Sequence, residues 1–324
     1  MSSIDEIRKP ILTELQIFNK KFVQALVTDN PLLNTIHTQI LEGSGKQLRP
    51  IITLLSAKLC GEINDITYNC ALSVELFHNA SLIHDDVVDD TSERRGRESI
   101  NSRWTNKIAI LTGDYILSSA LSEVLKTEKI NILREITQVG LEISDGELMQ
   151  IANTEKSKIT EEEYFLIIYK KTAALFAACC TIGAMSAGAN RTQVEILRNF
   201  GKLLGLCFQI KDDIFDYFPD IKIGKPTGND LQDGKVTLPL IYAITQAGEE
   251  ERENISAIIN NKNFTPENIE YVMDFARRKN GIDYAKQKME KIKNEAISLL
   301  DYFPDSEIKT TLIKCVEFAS ERKI

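Results

Sequence analysis

The sequence predicts an all-α protein, and three observations carry that expectation. Apolar residues recur three and four apart over long stretches, the period of a helix with one buried face. No alternating apolar–polar run of useful strand length interrupts them. No linker rich in Pro, Gly or Ser divides the 324 residues. Length alone would suggest two domains, but without a break a single domain spanning 1–324, ample to bury a core, is the expectation.

Taken in order, residues 4–28 place Ile4, Ile7, Ile11, Leu15, Phe18, Phe22 and Leu26 near a 3.6 period. They read as one amphipathic helix with Pro10 near its start. A shorter helix follows Asn30 and Pro31. Residues 43–50 (GSGKQLRP) turn into a helix that reaches Cys60. They superficially suggest a P-loop, but Ile40 stands where its first Gly belongs and Gln47 where its Ser or Thr belongs. What remains is Lys46 and Arg49 beside a helix start, where backbone N–H groups favour anions. Helices are expected over 66–89, 108–126, 130–153, 160–188 and 194–216. The fourth of these opens with the capping box Thr160–Glu163. Residues 219–233 form the one long polar connection, a length that usually signals function. The remaining helices are expected over 238–247, 249–259, 266–278, 281–300 and 306–322.

Two stretches organise the rest. Residues 81–90 (SLIHDDVVDD) and 209–216 (QIKDDIFD) each contain Asp-Asp-x-x-Asp, as Asp85, Asp86, Asp89 and Asp212, Asp213, Asp216. On a helix Asp85 and Asp89 share a face, Asp86 leans the same way, and like charges at that spacing repel. Each motif follows an apolar run that a core helix would bury. One such cluster could be a solvated acidic face; two of identical spacing point to a shared counter-charge, for which a divalent cation is economical. No EF-hand loop is present. A di-iron bundle needs two Glu-x-x-His units, and only Glu75–His78 occurs. A few carboxylates without a complete cage suit Mg²⁺ that keeps waters and bridges to substrate phosphates.

The net charge of −8 argues against a nucleic-acid partner. The six Cys show no Cys-x-x-Cys spacing and read as reduced, buried side chains of a cytoplasmic protein. The N-terminus lacks signal-peptide character. No segment reaches about 18 uninterrupted apolar residues, so no stable membrane insertion is expected.

Three Arg (Arg94, Arg95, Arg97) directly follow the first motif, and Arg matches phosphate oxygens bidentately. With Lys46, Arg49 and the Lys of the polar connection, two carboxylate clusters and paired metals describe a diphosphate trap. Above a dry apolar cavity, such a trap suits ionisation of an allylic carbon.

From Gly43 to Pro239, and weakly onward, these motifs resemble those of the all-trans polyprenyl diphosphate synthases. The resemblance implies antiparallel helices around a central cavity and a homodimer. It implies that Asp85, Asp86, Asp89, Asp212, Asp213 and Asp216 hold three Mg²⁺ against the allylic diphosphate, with Arg94, Lys171, Lys225 and Lys235 as its ligands. It implies Lys46, Arg49, His78 and Arg95 as ligands for isopentenyl diphosphate, and Thr172 and Gln209 with oxygens facing the developing cation. The competing readings are a class I terpene cyclase, whose second metal motif normally mixes other residues, and a non-catalytic helical subunit, in which the Asp motifs are usually degraded.

Product length should follow from what blocks the cavity beneath the first motif. One isoprene unit spans roughly one helical turn, about 5.4 Å. Ser81 and Ala80, then Phe77, are therefore successive floors, with Ile136 a second wall. Small residues at the first level predict a product longer than farnesyl, from geranylgeranyl to octaprenyl-like with the long-chain type preferred; Phe77 facing the cavity would stop growth near geranylgeranyl or slightly beyond.

Overall fold

The computed structural model describes residues 3–43, 45–154, 159–218 and 228–322. Proline placement and capping chemistry decide where its helices begin. Helix α1 (Ile4–Arg8) gives way to a 3₁₀ turn (Lys9–Ile11) and then α2 (Leu12–Ala25). The single helix expected over 4–28 is therefore two, because Pro10 has no N–H to continue the ladder. Asn30 caps α3 (Pro31–Glu42) by accepting from the N–H groups of Leu32 and Leu33. Helix α4 (Leu48–Cys60) precedes α5 (Asp65–Val88), which opens on a capping box between Asn64 and Thr67.

The stretch after the first Asp motif folds into a hairpin that the sequence did not reveal. Strand β1 (Glu93–Arg94) pairs antiparallel with β2 (Arg97–Glu98), and Arg95 and Gly96 turn at φ of 55° and 72°. Two-residue strands are too short to show alternation, and only Gly96 signals the turn. Helices α6 (Ile100–Arg103), α7 (Asn106–Leu125) and α8 (Ile130–Thr154) follow. The capping box of Thr160 and Glu163 starts α9 (Glu161–Ile168), as expected. A π-helical turn (Tyr169–Ala173) then leads into α10 (Ala174–Ser186), where an unbroken helix was expected. Helix α11 (Arg191–Phe215) carries the second motif at its end. Short α12 (Asn229–Gln232) lies within the polar connection, and α13 (Leu238–Thr245), α14 (Glu249–Asn260), α15 (Pro266–Arg278), α16 (Gly281–Leu299) and α17 (Glu307–Glu321) complete the chain.

Helix α10 is apolar all round, the signature of a core helix, and all its residues except Met185 are buried. It packs against α4, α5, α8 and α11; α7 covers α5, and α16 and α17 cover α11. Two stretches, Asn106–Leu125 and Glu161–Ser186, have mean hydropathies of 1.4 and 1.6 and are long and apolar enough to cross a membrane by length and composition. The second is the buried centre of the bundle. The first leaves Ile110, Leu111, Tyr115 and Leu125 exposed, and α8 beside it exposes Leu141 and Leu148.

Candidate active site

The C-terminal ends of α5 and α11 meet, together with α8 and the π turn, at one cavity of about 270 Å³. Asp85 lines it from α5, Asp213 and Gln209 from α11, Lys171 and Thr172 from the π turn, and Lys235 from beyond α12. Two glycines set the geometry. A methyl on Gly146 would lie 2.6 Å from Lys170 Cβ and 3.1 Å from Lys171 Cγ, so α8 can approach the π turn only at a residue without a side chain. Gly113 plays the same part for α7, where the ring of His84 fills the space a side chain would occupy.

The six aspartates occupy distinct environments. Asp85 is half-buried, and burial followed by the like charge of Glu147 pushes its carboxyl up to about 6. Asp86 turns away from the cavity, in contrast to the face shared with Asp85 expected from spacing. It is buried beneath the hairpin, where Arg94 Nε donates to Oδ1 at 2.6 Å. Consecutive helical residues diverge by about 100°, and Arg94 supplies the counter-charge. Asp89 caps α5 and is exposed. Asp212 pairs with Arg322. Asp213 accepts from Tyr164 Oη at 2.5 Å and from Gln209 Nε2 at 2.8 Å. Burial, then the charge of Asp230, pushes its carboxyl up to about 8. Asp216 accepts from the backbone N–H groups of Asn229 (3.0 Å) and Asp230 (3.1 Å).

Thr172 Oγ1 donates to Gln209 Oε1 at 2.7 Å. Thr172, Gln209, Asp213 and Tyr164 thus form one relay whose members orient each other. Lys171 pairs with Glu147 and donates to Gln150 at 3.0 Å. Burial pulls the Lys235 amine down, but Asp233 at 3.0 Å and the charge of Asp89 outweigh it and hold the pKa above its usual value. Lys225 lies outside the described residues.

A second cavity of about 320 Å³ is lined by Lys46, Arg49, His78, Arg95 and Arg322. It shares Arg49 and His78 with the first, so the two are halves of one cleft. Arg49 Nη1 donates to His78 Nε2 at 2.9 Å, and its guanidinium lies 4.9 Å from the Phe176 ring. Burial, then the charge of Arg49, holds His78 well below its ordinary pKa. It is neutral, with Nε2 the acceptor, since Arg can only donate. Arg95 donates to the Gly43 carbonyl, and its guanidinium occupies the space beside Gly45. Lys46 stands 5.0 Å over Phe318.

Beneath the carboxylates the first cavity is walled by Ser81, Ile143, Ile168 and Leu175. Of the four residues expected to stop a growing chain, only Ser81 lines it. Ala80 is buried on the adjacent face of α5, rotated by about 100°. Phe77 lies one turn deeper, its ring near Gly140 of α8, and Ile136 is fully buried deeper still. Residues that sequence reasoning missed are Tyr164, Asp230, Arg322 and Glu75. Asp230 sits in the polar connection, whose length was the only signal for it. Nothing local marked Arg322, which is adjacent to Asp212 only in space.

Fold and site together define an all-α enzyme with an anion-binding cleft over an apolar shaft. The sequence profile of the polyprenyl synthetase family matches residues 30–276. The chain is 33% identical to octaprenyl diphosphate synthase of Haemophilus influenzae, covering 99% of this chain and 98% of that protein. Among solved structures it is similar to a polyprenyl synthase from Caulobacter crescentus complexed with calcium and isoprenyl diphosphate (TM-score 0.94, 29% identity, 100% and 99% of the chains covered). It is also similar to a geranylgeranyl pyrophosphate synthase from Bacteroides thetaiotaomicron (TM-score 0.86, 37% identity, 99% and 100% covered). The chain belongs to the polyprenyl synthetase family, and with it to the trans-prenyltransferases.

Proposed function

We propose that the protein joins isopentenyl diphosphate to an allylic diphosphate, repeatedly and with trans geometry, to make a long-chain polyprenyl diphosphate. The observation that carries this reading is the divided cleft. It has a carboxylate-and-lysine half above an apolar shaft and a predominantly cationic half beside it, joined at Arg49 and His78.

The donor set fits a hard divalent cation, since it consists of carboxylate oxygens alone. Among the described residues no three His, Cys, Asp or Glu side chains cluster closely enough to make a ready cage. Substrate phosphates would therefore complete the coordination. Burial first, and then the like charges of Glu147 and Asp230, raise the pKa of Asp85 and Asp213, so a cation placed between them would be bound in their ionised form. Asp85, Asp89, Asp212, Asp213 and Asp216 would hold Mg²⁺, which supplies charge neutralisation of the departing diphosphate. Lys171 and Lys235, with Arg94 and Lys225, bind that diphosphate. Lys46, Arg49 and Arg95 bind the diphosphate of isopentenyl diphosphate, with neutral His78 orienting Arg49.

The allylic C–O bond breaks, and its electron pair leaves with the diphosphate. Oxygens of Thr172 and Gln209, fixed by their mutual hydrogen bond, face the allylic cation. Ile143, Ile168 and Leu175 exclude water that would quench it. The isopentenyl double bond supplies the electrons of the new C–C bond, and loss of a proton to an oxygen of the departed diphosphate restores an allylic double bond. The lengthened tail descends past Ser81.

The whole chain acts as one cytoplasmic synthase domain, and two copies associate through the exposed apolar face of α7 and α8. Exposed apolar side chains on these two neighbouring helices, such as Leu111, Leu125, Leu141 and Leu148, support that surface. The six cysteines are free.

The test is incubation of purified protein with farnesyl diphosphate, labelled isopentenyl diphosphate and Mg²⁺, followed by sizing of the products. Polyprenyl diphosphates longer than geranylgeranyl are expected. Hydrocarbon released from farnesyl diphosphate alone would instead indicate a cyclase, and turnover only with an added partner would indicate a subunit. Products stopping at geranylgeranyl would make the Phe77 level the floor.

A further inference from the structure

The cationic half of the cleft contains one group that does not belong in an anion site. Glu75, on α5 one turn before His78, lines the same cavity as Lys46, Arg49, Arg95 and Arg322. It is 94% buried, taking its 6% exposure as the remainder. Its Oε2 is buried without a hydrogen-bond partner among the described residues. Among the described residues it forms no ion pair with Arg49 either; Arg49 donates to His78, and its Nε also finds no partner among them. An ionised carboxylate left in this state would be unusual, because a buried charge requires pairing. It would also repel an incoming diphosphate. A protonated carboxyl resolves both problems, since it is neutral and has an O–H to donate.

We infer that Glu75 binds isopentenyl diphosphate as a protonated acid, donating a hydrogen bond from its carboxyl to a diphosphate oxygen, so that binding is linked to the uptake of a proton from solvent. This rests on the reading of the cationic cavity as the isopentenyl diphosphate site. Burial pushes the Glu75 carboxyl up, against the opposing charges of Arg49 and Arg95. A bound polyanion raises it further, and by linkage the protonated form binds the anion more tightly. Arg49 from α4, Arg95 from the hairpin and Cys179 from α10 act electrostatically with Glu75, and His78 from α5, Lys46 and Arg322 line the same cavity. A guanidinium cannot be deprotonated in a protein. His78 is held well below its ordinary value, and Cys179 is pushed up to about 12. Neither His78 nor Cys179 changes charge near neutrality. Lys46, farther round the wall, is pulled down by burial and by Arg322, so it can weaken binding as pH rises. That effect is common to wild type and any Glu75 variant, and it cancels in their ratio.

The experiment titrates isopentenyl diphosphate alone into the full chain calorimetrically between pH 6.5 and 8.5, for wild type, Glu75→Gln and Arg95→Gln. Buffers of different ionisation heat count the protons taken up. Gln is isosteric and keeps a donor at every pH. Glu75→Gln is expected to bind within about threefold of wild type at pH 6.5. The ratio of wild-type to variant Kd should then rise with pH, toward about tenfold per unit, the limit for one linked proton. Wild type should take up more protons than the variant. A variant that binds tenfold more weakly at pH 6.5 would overturn the inference, because the carboxylate would then be needed as an acceptor. A ratio constant with pH would also overturn it. Either result with Arg95→Gln still weakening binding removes the role of Glu75 alone. Binding indifferent to Arg95→Gln removes the site assignment and this inference with it. Melting temperatures of the variants confirm that each is folded.

Discussion

Replacing Gly113 with alanine should lower kcat by roughly ten- to a hundredfold although Gly113 touches no substrate. A methyl there would lie 2.6 Å from His84 Cδ2 and 2.9 Å from Cε1, and closer still to Nε2, against 3.4–4 Å for ordinary contact. The ring must retreat by about 1 Å. Its retreat is restricted, because Nε2 lies 3.3 Å from both Asp114 Oδ1 and the Ile110 carbonyl. His84 immediately precedes Asp85 and Asp86, so the displacement passes to the last turn of α5. A misplacement of about 1 Å in a reacting constellation costs about 10²-fold in rate, whereas overpacking by one methyl costs about 1–3 kcal/mol of stability. The assay is steady-state incorporation of labelled isopentenyl diphosphate across a Mg²⁺ titration, alongside thermal melting. Gly113→Ala should raise the half-saturating Mg²⁺ and lower kcat. Adding His84→Ala in the same chain makes room for the methyl and should recover part of both. Wild-type kcat and Mg²⁺ dependence in Gly113→Ala would refute the reasoning. So would a double variant whose stability returns while its kcat does not.

Three further outcomes are expected. Ser81→Phe should shorten the products toward farnesyl and geranylgeranyl, whereas Phe77→Ala, one turn or about 6 Å deeper, should lengthen them; unchanged chromatograms would remove those residues as walls. Burial pushes the carboxyls of Asp85 and Asp213 up to about 6 and about 8, so Mg²⁺ binding there must displace their protons. The half-saturating Mg²⁺ should therefore rise as pH falls from about 8 to 6, and a pH-independent value would contradict the carboxylate ligands. Leu111→Glu, at a side chain 59% exposed on α7, should shift sedimentation toward monomer; an unaltered dimer would place the interface elsewhere.

Much of the helix inventory was legible because its determinants are local. Apolar period, Pro at the first helical position and capping boxes act within a few residues, as at Asn30–Pro31 and Thr160–Glu163. The break at Pro10 follows from the same local chemistry, since proline has no N–H to donate. The π turn at Tyr169–Ala173 had no such signature. It arises where Gly146 lets α8 press against the chain at Lys170 and Lys171, a contact between residues far apart in sequence. The hairpin at Glu93–Glu98 was hidden because its two-residue strands have no period to read.

By itself the sequence determined an all-α protein with two Asp-rich helix ends and a set of cations matching a diphosphate-handling family, since composition, period and motif spacing are properties of the chain. Tertiary structure alone decided which atoms serve together. It turned Asp86 to Arg94 and away from the cavity, and set Arg322 against Asp212 across 110 residues. It left Ser81 as the wall while Ala80 faces the core, and placed Glu75 among arginines with its Oε2 lacking a hydrogen-bond partner among the described residues. The physical reason is that a side chain's partner, burial and charge state depend on helices packed from distant parts of the chain, and no local pattern encodes that packing.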